Sequence, residues 1–332
     1  MLEMIAGFRA SRAIYVAARL RLADALRDGP REVRAIAEAT ATHAPSLERL
    51  LHALASLDLL VCDGDGRYAL TPLGATLDSD APGSLRAWAE VALGGEHYAA
   101  WGELEHAVRH GEAAFEHVFG TDVWEYRRRH ADRGALFSQG MASLASTFDE
   151  RIVANRALAK VECLVDVGGG DGSVLLAILS AHPAMRGVVF DLPHVVDAAR
   201  ARIAEAGLAG RCRVVAGDAF ESVPASDGYL LCRMLHDWSD ERAQALVRNC
   251  GHVMTSGGRL FVIERVLPER VDASRAARVA AMADLAMMVM TGGRERRIDE
   301  FEDLLASVAF RTTRVERSAS GLVLIEAAAA KQ

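Results

Sequence analysis

From residue 163 onward, short apolar segments alternate with stretches that are long enough and periodic enough to form helices. The segments are CLVDVGGG, GVVFDLP, CRVVAGDAF, YLLCRML and GRLFVIERV, and after a further helix come TTRVERSA and LVLIEAA. Strands that alternate with helices predict an α/β fold, a parallel sheet with helices on both faces. Because ligands bind beyond the carboxyl ends of such strands, the residues that follow each apolar segment are the candidate site.

The first 80 residues follow a different pattern, in which helices precede a hairpin. Apolar residues recur at helical spacing in IYVAARLRLADAL, in VRAIAEAT and in SLERLLHALASLDLL, where Ser46 is a candidate N-cap. Two short strands then flank the DGDG of residues 63–66. This order is typical of a winged helix. The first helix is apolar over a wide face, so we expect it to form a homodimer.

Charge argues against the nucleic-acid partner that a winged helix suggests. Residues 1–80 contain 9 arginines and no lysine against 11 acidic residues, and the whole chain has a net charge of −7. Such a surface offers no block of cations to bind phosphates. We therefore expect no nucleic acid as a partner, although a cofactor-sensing DNA-binding protein stays an alternative.

Composition also predicts the compartment. The five cysteines are scattered and form no CxxC pair, which favours reduced thiols in a cytoplasmic protein. Glu3, Arg9 and Arg12 interrupt the N-terminal stretch, so it lacks the apolar core of a signal peptide. No apolar run approaches the roughly 18 residues of a membrane span. We therefore expect no membrane partner. We also expect no metal, since no cluster of His, Asp or Cys has the spacing of metal ligands.

Residues 84–150 are again helical in pattern and rich in large side chains. Trp88, Trp101 and Trp124 lie here, as do Phe137 and Met141. These side chains predict either an aromatic core or a hydrophobic lid over an aromatic substrate, and both interpretations stay open.

The first strand end carries a glycine-rich turn. In VDVGGGDGS, glycines at positions 168, 170 and 172 allow the backbone to turn sharply and to approach a ligand closely. The spacing departs from the G-x-G-x-x-G motif of dinucleotide-binding proteins. The turn is a candidate ligand-binding element, and the alternative is a tight connection between a strand and a helix.

The next two strand ends carry acids. Asp191 ends the second strand, where a carboxylate accepts hydrogen bonds from ribose hydroxyls. Asp218, Ala219 and Phe220 follow the third strand, so a carboxylate and an aromatic ring are available to adenine. A nucleoside site without a strong phosphate-binding element fits S-adenosylmethionine.

A candidate general base lies beside this nucleoside site. His236 follows the fourth apolar segment in LLCRMLHDWSD, Glu264 ends the fifth in FVIERVLP, and Glu295 follows a later helix in GGRER. A carboxylate can fix the tautomer of an imidazole and stabilise the imidazolium that forms on proton uptake. The alternative is a structural histidine with two unrelated acids.

The motifs DVGGGDG, FDLPHV, GDAF, LHDWSDE, VIERVLP and GGRER occur in this order, and the combination resembles the S-adenosylmethionine-dependent O-methyltransferases of the plant caffeic-acid type. Bacterial members of that family methylate antibiotics, polyketides and other aromatic metabolites. The resemblance covers nearly the whole chain. It implies a Rossmann-like doubly wound methyltransferase domain over residues 151–332, a winged-helix-like dimerisation domain over 1–95, and a helical linker over 96–150 that contributes to the substrate pocket.

Carried over residue by residue, the resemblance makes His236 the catalytic base, with Glu264 and Glu295 on either side of it. The cofactor-binding residues, counting those of the glycine turn and of GDAF, are Gly168, Gly170, Asp191, Asp218, Ala219, Phe220 and, through its backbone, Cys232. The substrate-lining residues are Phe137, Met141 and Met287. Plant members often have methionine at the position of Ala219, lysine at that of Cys232 and a histidine near Leu144, and these differences concern the substrate more than the reaction.

The predicted function is methylation of a hydroxyl on a small aromatic metabolite, with S-adenosylmethionine as the methyl donor. Proton removal by a positioned histidine is typically worth about 10²–10⁴-fold in rate. Within this family the same scaffold also supports cofactor-assisted decarboxylation or hydroxylation, which stays an alternative.

Overall fold

The structure of the chain is a computed structural model that describes residues 1–145, 150–318 and 321–330. The chain divides into two compact units. The first comprises Met1–Ala99 and His130–Thr147, and the second comprises Ala100–Arg129 and Phe148–Gln332. Each unit has an apolar core of its own.

Helices dominate the first half of the chain and alternate with strands in the second. The helices are α1 (Leu2–Arg19), α2 (Leu22–Leu26), α3 (Val33–Ala39), α4 (Ala44–Ser56), α5 (Arg86–Ala92), α6 (Gly95–Gly102), α7 (Leu104–His110), α8 (Ala114–Phe119), α9 (Val123–Arg129), α10 (Ala131–Ala145), α11 (Glu150–Val153), α12 (Ser173–Ala181), α13 (Val196–Glu205), α14 (Asp240–Val253), α15 (Arg275–Met290) and α16 (Ile298–Ala306). The strands are β1 (Arg31–Glu32), β2 (Leu60–Cys62), β3 (Arg67–Leu70), β4 (Cys163–Val167), β5 (Arg186–Asp191), β6 (Cys212–Ala216), β7 (Ser226–Cys232), β8 (Met254–Arg265), β9 (Phe310–Arg317) and β10 (Leu322–Ala329).

The first unit combines helices with a small antiparallel sheet, in the order β1-β3-β2. Leu47 and Leu51 recur at helical spacing on α4 and are buried. The β2–β3 hairpin closes around Asp63, whose Oδ1 accepts the backbone N–H of Arg67 at 2.9 Å. The predicted order of helices followed by a hairpin is confirmed.

The N-cap predicted at Ser46 is wrong. Helix α4 begins at Ala44, after His43, whose backbone is extended. Pro45 lies in the first turn, where its missing N–H costs no intrahelical hydrogen bond. The Ser46 hydroxyl therefore lies inside the helix, 3.0 Å from His43 Nδ1.

The second unit is built on a seven-stranded sheet in the order β6-β5-β4-β7-β8-β10-β9. The strands from β6 to β8 are parallel, as predicted, whereas β10 is antiparallel to both β8 and β9. The short connection explains the β9–β10 pair, because β9 ends at Arg317 and β10 begins at Leu322. So short a connection can join antiparallel strands but leaves no room for a crossover helix.

Helices cover both faces of this sheet. Leu164 and Leu230 point to the face covered by α12 and α13, whereas Val165 and Leu231 point to the face covered by α14 and α16. The alternation follows from the two-residue period of a strand. Because β4, β5, β7 and β8 run in parallel, their carboxyl ends lie at one edge, and this edge carries the candidate site.

The aromatic residues of the 100–129 segment form a core in the second unit. Phe115 is fully buried, with its ring 5.4 Å from that of Tyr126 and 4.6 Å from that of Phe119. Val289 and Met290 of α15 belong to the same cluster. Of the two interpretations of these side chains, the core interpretation describes their packing within this unit.

Among the described residues, no helix is long and apolar enough to cross a membrane. All five cysteines are free thiols. Cys212 and Cys250 are buried, Cys163 and Cys232 are half-buried, and Cys62 is exposed.

Candidate active site

The glycine turn connects β4 to α12 through three residues with positive φ. The φ angles are 71° at Gly168, 58° at Gly170 and 79° at Gly172, a region in which side chains with a Cβ are strained. A Cβ on Gly168 would also lie 2.9 Å from the sulfur of Met234. The turn therefore needs glycine for its conformation and, at Gly168, for its contact with the segment that leads to His236.

Asp191 ends β5 beside this turn. Its Oδ2 accepts the N–H of Gly170 and its Oδ1 accepts the N–H of Leu192, both at 2.7 Å. Burial raises the pKa of Asp191, and the two backbone hydrogen bonds lower it in part. A carboxylate has about four acceptor positions, so the two that remain can receive hydroxyl donors from a ligand.

The loop after β6 lies next to Asp191, because the N–H of Gly217 donates to the Asp191 carbonyl at 3.0 Å. Asp218 Oδ1 accepts the N–H of Phe220 at 2.8 Å. The Asn249 amide of α14 donates to the carbonyls of Ala219 and Phe220, at 2.8 and 3.0 Å. The backbone of this loop is thus fixed from both sides.

An aromatic group borders the same loop. The rings of Phe220 and Trp238 meet edge to face, with centroids 4.8 Å apart. The Arg242 guanidinium lies over both rings, 4.0 Å from the centroid of Phe220 and 4.4 Å from that of Trp238. Cation–π attraction therefore couples the first turn of α14 to the ring expected to pack on adenine.

Cys232 is the last residue of β7 and pairs with Ile263 of β8. Burial raises the pKa of its thiol well above the usual value, with the charge of Asp166 acting in the same direction. The thiol therefore stays protonated, which suits a role for Cys232 through its backbone and not as a nucleophile.

His236 lies in a one-turn 3₁₀ helix, Leu235–Asp237, a few residues beyond the end of β7. We call residues 234–238 the His236 turn. Glu264, near the end of β8, holds this turn because its Oε1 accepts the N–H groups of Met234 at 2.9 Å, Leu235 at 2.8 Å and His236 at 3.4 Å. The other carboxylate oxygen, Oε2, lies 3.1 Å from His236 Nδ1.

Glu295 approaches the same imidazole nitrogen. Its Oε1 lies 3.3 Å from His236 Nδ1, and its backbone N–H donates to Asp284 Oδ1 of α15 at 2.8 Å. The side chains of His236, Glu264 and Glu295 are 7%, 0% and 2% exposed. The structure thus brings the three predicted catalytic residues together in a buried group.

The surroundings of His236 favour its protonated form. Burial lowers the pKa of the imidazole, but the charges of Glu264 and Asp237 and the close approach of the Glu264 and Glu295 carboxylates raise it, and the net pKa lies well above the usual value. Nδ1 faces the two carboxylates, and Nε2 lies 3.9 Å from Asp237 Oδ1. When the imidazole is neutral and its proton lies on Nδ1, Nε2 is the nitrogen that can accept a proton.

The sequence showed no cluster with the spacing of metal ligands, yet one group in the described part of the chain has suitable distances. Ligand atoms of His236, Glu264 and Glu295 lie within 4.8 Å of one another. The same atoms make the imidazole–carboxylate contacts at 3.1 and 3.3 Å, and the absence of a metal stays a prediction.

The segment that carries Glu295 also contacts the backbone of the His236 turn. The Arg296 side chain is fully buried and donates to the carbonyls of Leu235 at 2.8 Å and Trp238 at 2.9 Å. The N–H of Arg294 donates to the His236 carbonyl at 2.9 Å. Sequence reasoning missed Arg296, Arg242 and Asp284, since nothing in the pattern distinguishes these charges from exposed ones.

The predicted substrate-lining residues lie in different units. Phe137 and Met141 are half-buried on α10 in the first unit, and their four-residue spacing places them on one face of the helix. Met287 is half-buried on α15 in the second unit. It lies three residues from Asp284 and therefore on the face of α15 that contacts the Glu295 backbone.

A groove of about 790 Å³ opens at the opposite edge of the sheet. It is bordered by residues at the starts of the parallel strands, among them Cys163, Gly187 and Ser226. None of the predicted site residues lines it.

Two family models match the chain. One, described as an O-methyltransferase domain, matches residues 101–311, and the other, described as an O-methyltransferase dimerisation domain, matches residues 2–80.

Proteins of known activity are similar over nearly the whole length. The phenazine O-methyltransferase PhzM of Lysobacter antibioticus is 38% identical over 328 residues, covering 98% of this chain and 95% of that protein. The O-demethylpuromycin-O-methyltransferase of Streptomyces alboniger is 39% identical over an alignment of 340 residues, covering 99% of this chain and 88% of that protein. The solved structure of NcsB1, an O-methyltransferase from neocarzinostatin biosynthesis in complex with S-adenosylmethionine and 2-hydroxy-5-methyl naphthoic acid, has a TM-score of 0.81 at 34% identity, covering 96% of this chain and 95% of that chain.

Proposed function

Since this chain belongs to the O-methyltransferase family, we propose that it transfers a methyl group from S-adenosylmethionine to a hydroxyl of a small aromatic molecule, with His236 as the general base. The observation that carries the proposal is the buried imidazole whose Nδ1 faces Glu264 and Glu295 at 3.1 and 3.3 Å. A phenol with a pKa near 10 lies about three units from ionisation at pH 7, a deficit of roughly 4 kcal/mol. A base that accepts the proton during the reaction removes much of this deficit.

The residues at the sheet edge fit the cofactor. Bound S-adenosylmethionine supplies a methyl group already activated on a sulfonium. Asp191 offers its remaining acceptor positions to the ribose hydroxyls, and Asp218 and Phe220 offer a carboxylate and a ring to adenine. The remaining residues act through their backbone or through the space they leave: Gly168, Gly170, Ala219 and Cys232.

In the catalytic group, Glu264 and Glu295 hold the Nδ1 proton of His236 and so leave Nε2 as the acceptor. As His236 takes up the hydroxyl proton, the two carboxylates stabilise the resulting imidazolium. Because both are buried, their attraction for this charge is stronger than it would be in water. Glu264 also fixes the backbone of the His236 turn, so one carboxylate both orients the imidazole and positions the turn that carries it.

The acceptor is proposed to be a planar aromatic molecule lined by Phe137, Met141 and Met287. Relatives are named for a phenazine and for O-demethylpuromycin, and NcsB1 was solved with a hydroxynaphthoic acid. Apolar and sulfur-containing side chains suit the faces of such rings.

The proposed organisation has a dimerisation domain over residues 1–95, a helical linker over 96–150 and a catalytic domain over 151–332. The match of a dimerisation domain over residues 2–80 supports a homodimer. The proposed partners are the aromatic substrate and a second copy of the chain, with no nucleic acid, and the proposed location is the cytoplasm.

The direct test is His236→Ala, assayed with a panel of hydroxylated phenazines and naphthoates. We expect kcat to fall about 10²-fold or more, while calorimetry shows nearly unchanged affinity for S-adenosylhomocysteine. Since the pKa of His236 lies above its usual value, the wild-type rate should rise with pH above neutrality as the free base becomes populated. A variant with normal kcat and the same pH profile would show that His236 is structural.

A further inference from the structure

We propose that Arg296 is a positioning residue that holds the His236 turn in the arrangement required for proton removal, an inference that rests on the proposed function. Arg296 follows Glu295 directly in the chain. Its side chain donates hydrogen bonds to backbone carbonyls of the turn and to Asp240, so it acts through the backbone of the turn.

The guanidinium binds the turn on both sides of the histidine. Nη1 donates to the Leu235 carbonyl at 2.8 Å, and Nη2 donates to the Trp238 carbonyl at 2.9 Å. Nε and Nη2 also donate to Asp240 Oδ1, at 2.9 and 2.7 Å, at the start of α14. One buried planar group thus connects residues 235, 238 and 240.

Neighbouring residues hold the carbonyl of the histidine itself. The N–H of Arg294 donates to the His236 carbonyl at 2.9 Å. A Cβ on Gly293 would overlap this same carbonyl, so the segment packs directly against the turn. The carbonyl groups of the turn therefore face the 293–296 segment.

The N–H groups of the turn are bound by a different element. Glu264 of β8 accepts three of them, from Met234, Leu235 and His236. The turn is consequently fixed between β8 on its N–H side and Arg296 on its carbonyl side. If the Arg296 side chain is removed, the carbonyl side keeps only the hydrogen bond from the Arg294 N–H to the His236 carbonyl.

The imidazole geometry depends on this double attachment. Nδ1 must stay within reach of two carboxylates, of which Glu264 lies on β8 and Glu295 on the 293–296 segment. The charged groups that face the ring are these two and Asp237 of the turn itself. A small rotation of the turn would lengthen at least one of the Nδ1 contacts.

Only arginine offers this set of donors. The guanidinium has five N–H groups in a rigid plane, which can reach two carbonyls and a carboxylate at once. Lysine would keep the positive charge but has a single nitrogen. Methionine would keep much of the volume and provide no donor.

The experiment compares Arg296→Met and Arg296→Lys with the matched control Arg294→Met. The Arg294 side chain binds Asp240 and Glu300 but not the carbonyls of the turn. In the enzyme saturated with S-adenosylhomocysteine, NMR with labelled histidine gives the pH midpoint of the His236 imidazole, whose signal is assigned by its loss in His236→Ala. The affinity for S-adenosylhomocysteine and kcat are measured on the same proteins.

We expect Arg296→Met to lower the pH midpoint of His236 and to reduce kcat about 10- to 100-fold, as for a displaced catalytic group. For Arg296→Lys, we expect a pH midpoint and a kcat between those of Arg296→Met and wild type. If Arg296→Met does not fold, Arg296→Lys takes its place in the comparison. Affinity for S-adenosylhomocysteine should stay within about twofold, and Arg294→Met should match wild type.

An unchanged pH midpoint in the folded Arg296 variants overturns the inference, even if kcat falls together with cofactor affinity, since that result describes a purely structural residue. A normal kcat in His236→Ala overturns the proposed function instead. The two failures are therefore distinguishable, because the midpoint is read without an acceptor.

Discussion

Glu264 uses its two carboxylate oxygens for different purposes. Oε1 accepts backbone N–H groups of the His236 turn, and Oε2 faces His236 Nδ1. The Glu295 carboxylate faces the same imidazole nitrogen, and the Glu295 backbone N–H donates to Asp284. At the scale of single residues, two similar acids beside one histidine should therefore differ in importance.

We expect Glu264→Gln to reduce kcat about 10²-fold or more and Glu295→Gln about 10-fold or less. In Glu264→Gln an amide N–H₂ can face Nδ1, which favours the tautomer whose Nε2 carries the proton and cannot accept another. In Glu295→Gln the Glu264 carboxylate still holds the Nδ1 proton. Steady-state kinetics across pH would check this order, and equal losses in the two variants would contradict it.

Asp166, near the end of β4, is a second residue whose surroundings change its pKa, and this change affects the stability of the protein. Burial, assisted by the charges of Asp191 and Asp171, raises the pKa of Asp166 to about 7. The folded protein therefore binds a proton at this carboxyl more tightly than the unfolded chain, whose carboxyl has a pKa near 4. Stability is lost as pH rises from the unfolded value to the folded one.

The Asp166→Asn variant should accordingly have a larger free energy of unfolding than wild type. This margin should grow between about pH 4 and pH 7 and stay constant at higher pH. Urea unfolding at several pH values measures this margin. Asp227→Asn is the control, since Asp227 caps the N–H groups of Glu162 and Cys163 and no gain is expected there. A margin for Asp166→Asn that does not vary with pH would show that folding does not raise the pKa of this carboxyl.

At the scale of elements, the first turn of α14 links the site to the sheet. Ser239 caps the helix through the N–H of Arg242 at 3.4 Å, and the Arg242 guanidinium lies over Phe220 and Trp238. The helix therefore supports the ring that is expected to contact adenine.

Arg242→Met should weaken the binding of S-adenosylhomocysteine about 3- to 10-fold, corresponding to two exposed cation–π contacts, with little change in kcat. The matched control is Arg248→Met, an exposed arginine on the same helix. Calorimetry measures the affinity of both variants for S-adenosylhomocysteine. Equal affinities in Arg242→Met and Arg248→Met would mean that Phe220 needs no support from α14.

The elements themselves were predictable because their signals are local. Short apolar runs predicted β4, β5 and β8, and the residues that follow strands predicted the edge of the sheet. The direction of β10 was not predictable from such runs, because it depends on the pairing partner. Arg296 could not be identified either, since its burial results from packing between the 293–296 segment and the His236 turn, which are far apart in sequence.

At the scale of the whole molecule, α1 leaves an apolar stripe uncovered. Leu2, Met4, Ile5 and Phe8 are 84%, 78%, 65% and 54% exposed. Helical spacing places most of them along one side. Such a surface is unfavourable in water and suits a contact with a second copy of the chain.

The double variant Ile5→Glu/Phe8→Glu should shift the protein from dimer toward the 35.7 kDa monomer, because it places charges in a desolvated contact. Sedimentation velocity at micromolar concentration measures the shift. Val108→Glu, which changes an equally exposed apolar residue on α7, should leave the dimer intact. Identical sedimentation of wild type and the double variant would exclude α1 from the contact.

The strand order β8-β10-β9 has a consequence for how the chain is made. Strand β8 emerges from the ribosome before its neighbour β10, because residues 266–321 are translated in between. At about 5–20 residues per second this interval lasts on the order of several seconds. During that time a long apolar strand has one side without a partner, a state that favours pairing between nascent chains. A lower growth temperature and co-expression of a chaperone should therefore raise the soluble yield of this protein. Codon changes that only accelerate translation of the first part of the chain should raise it less.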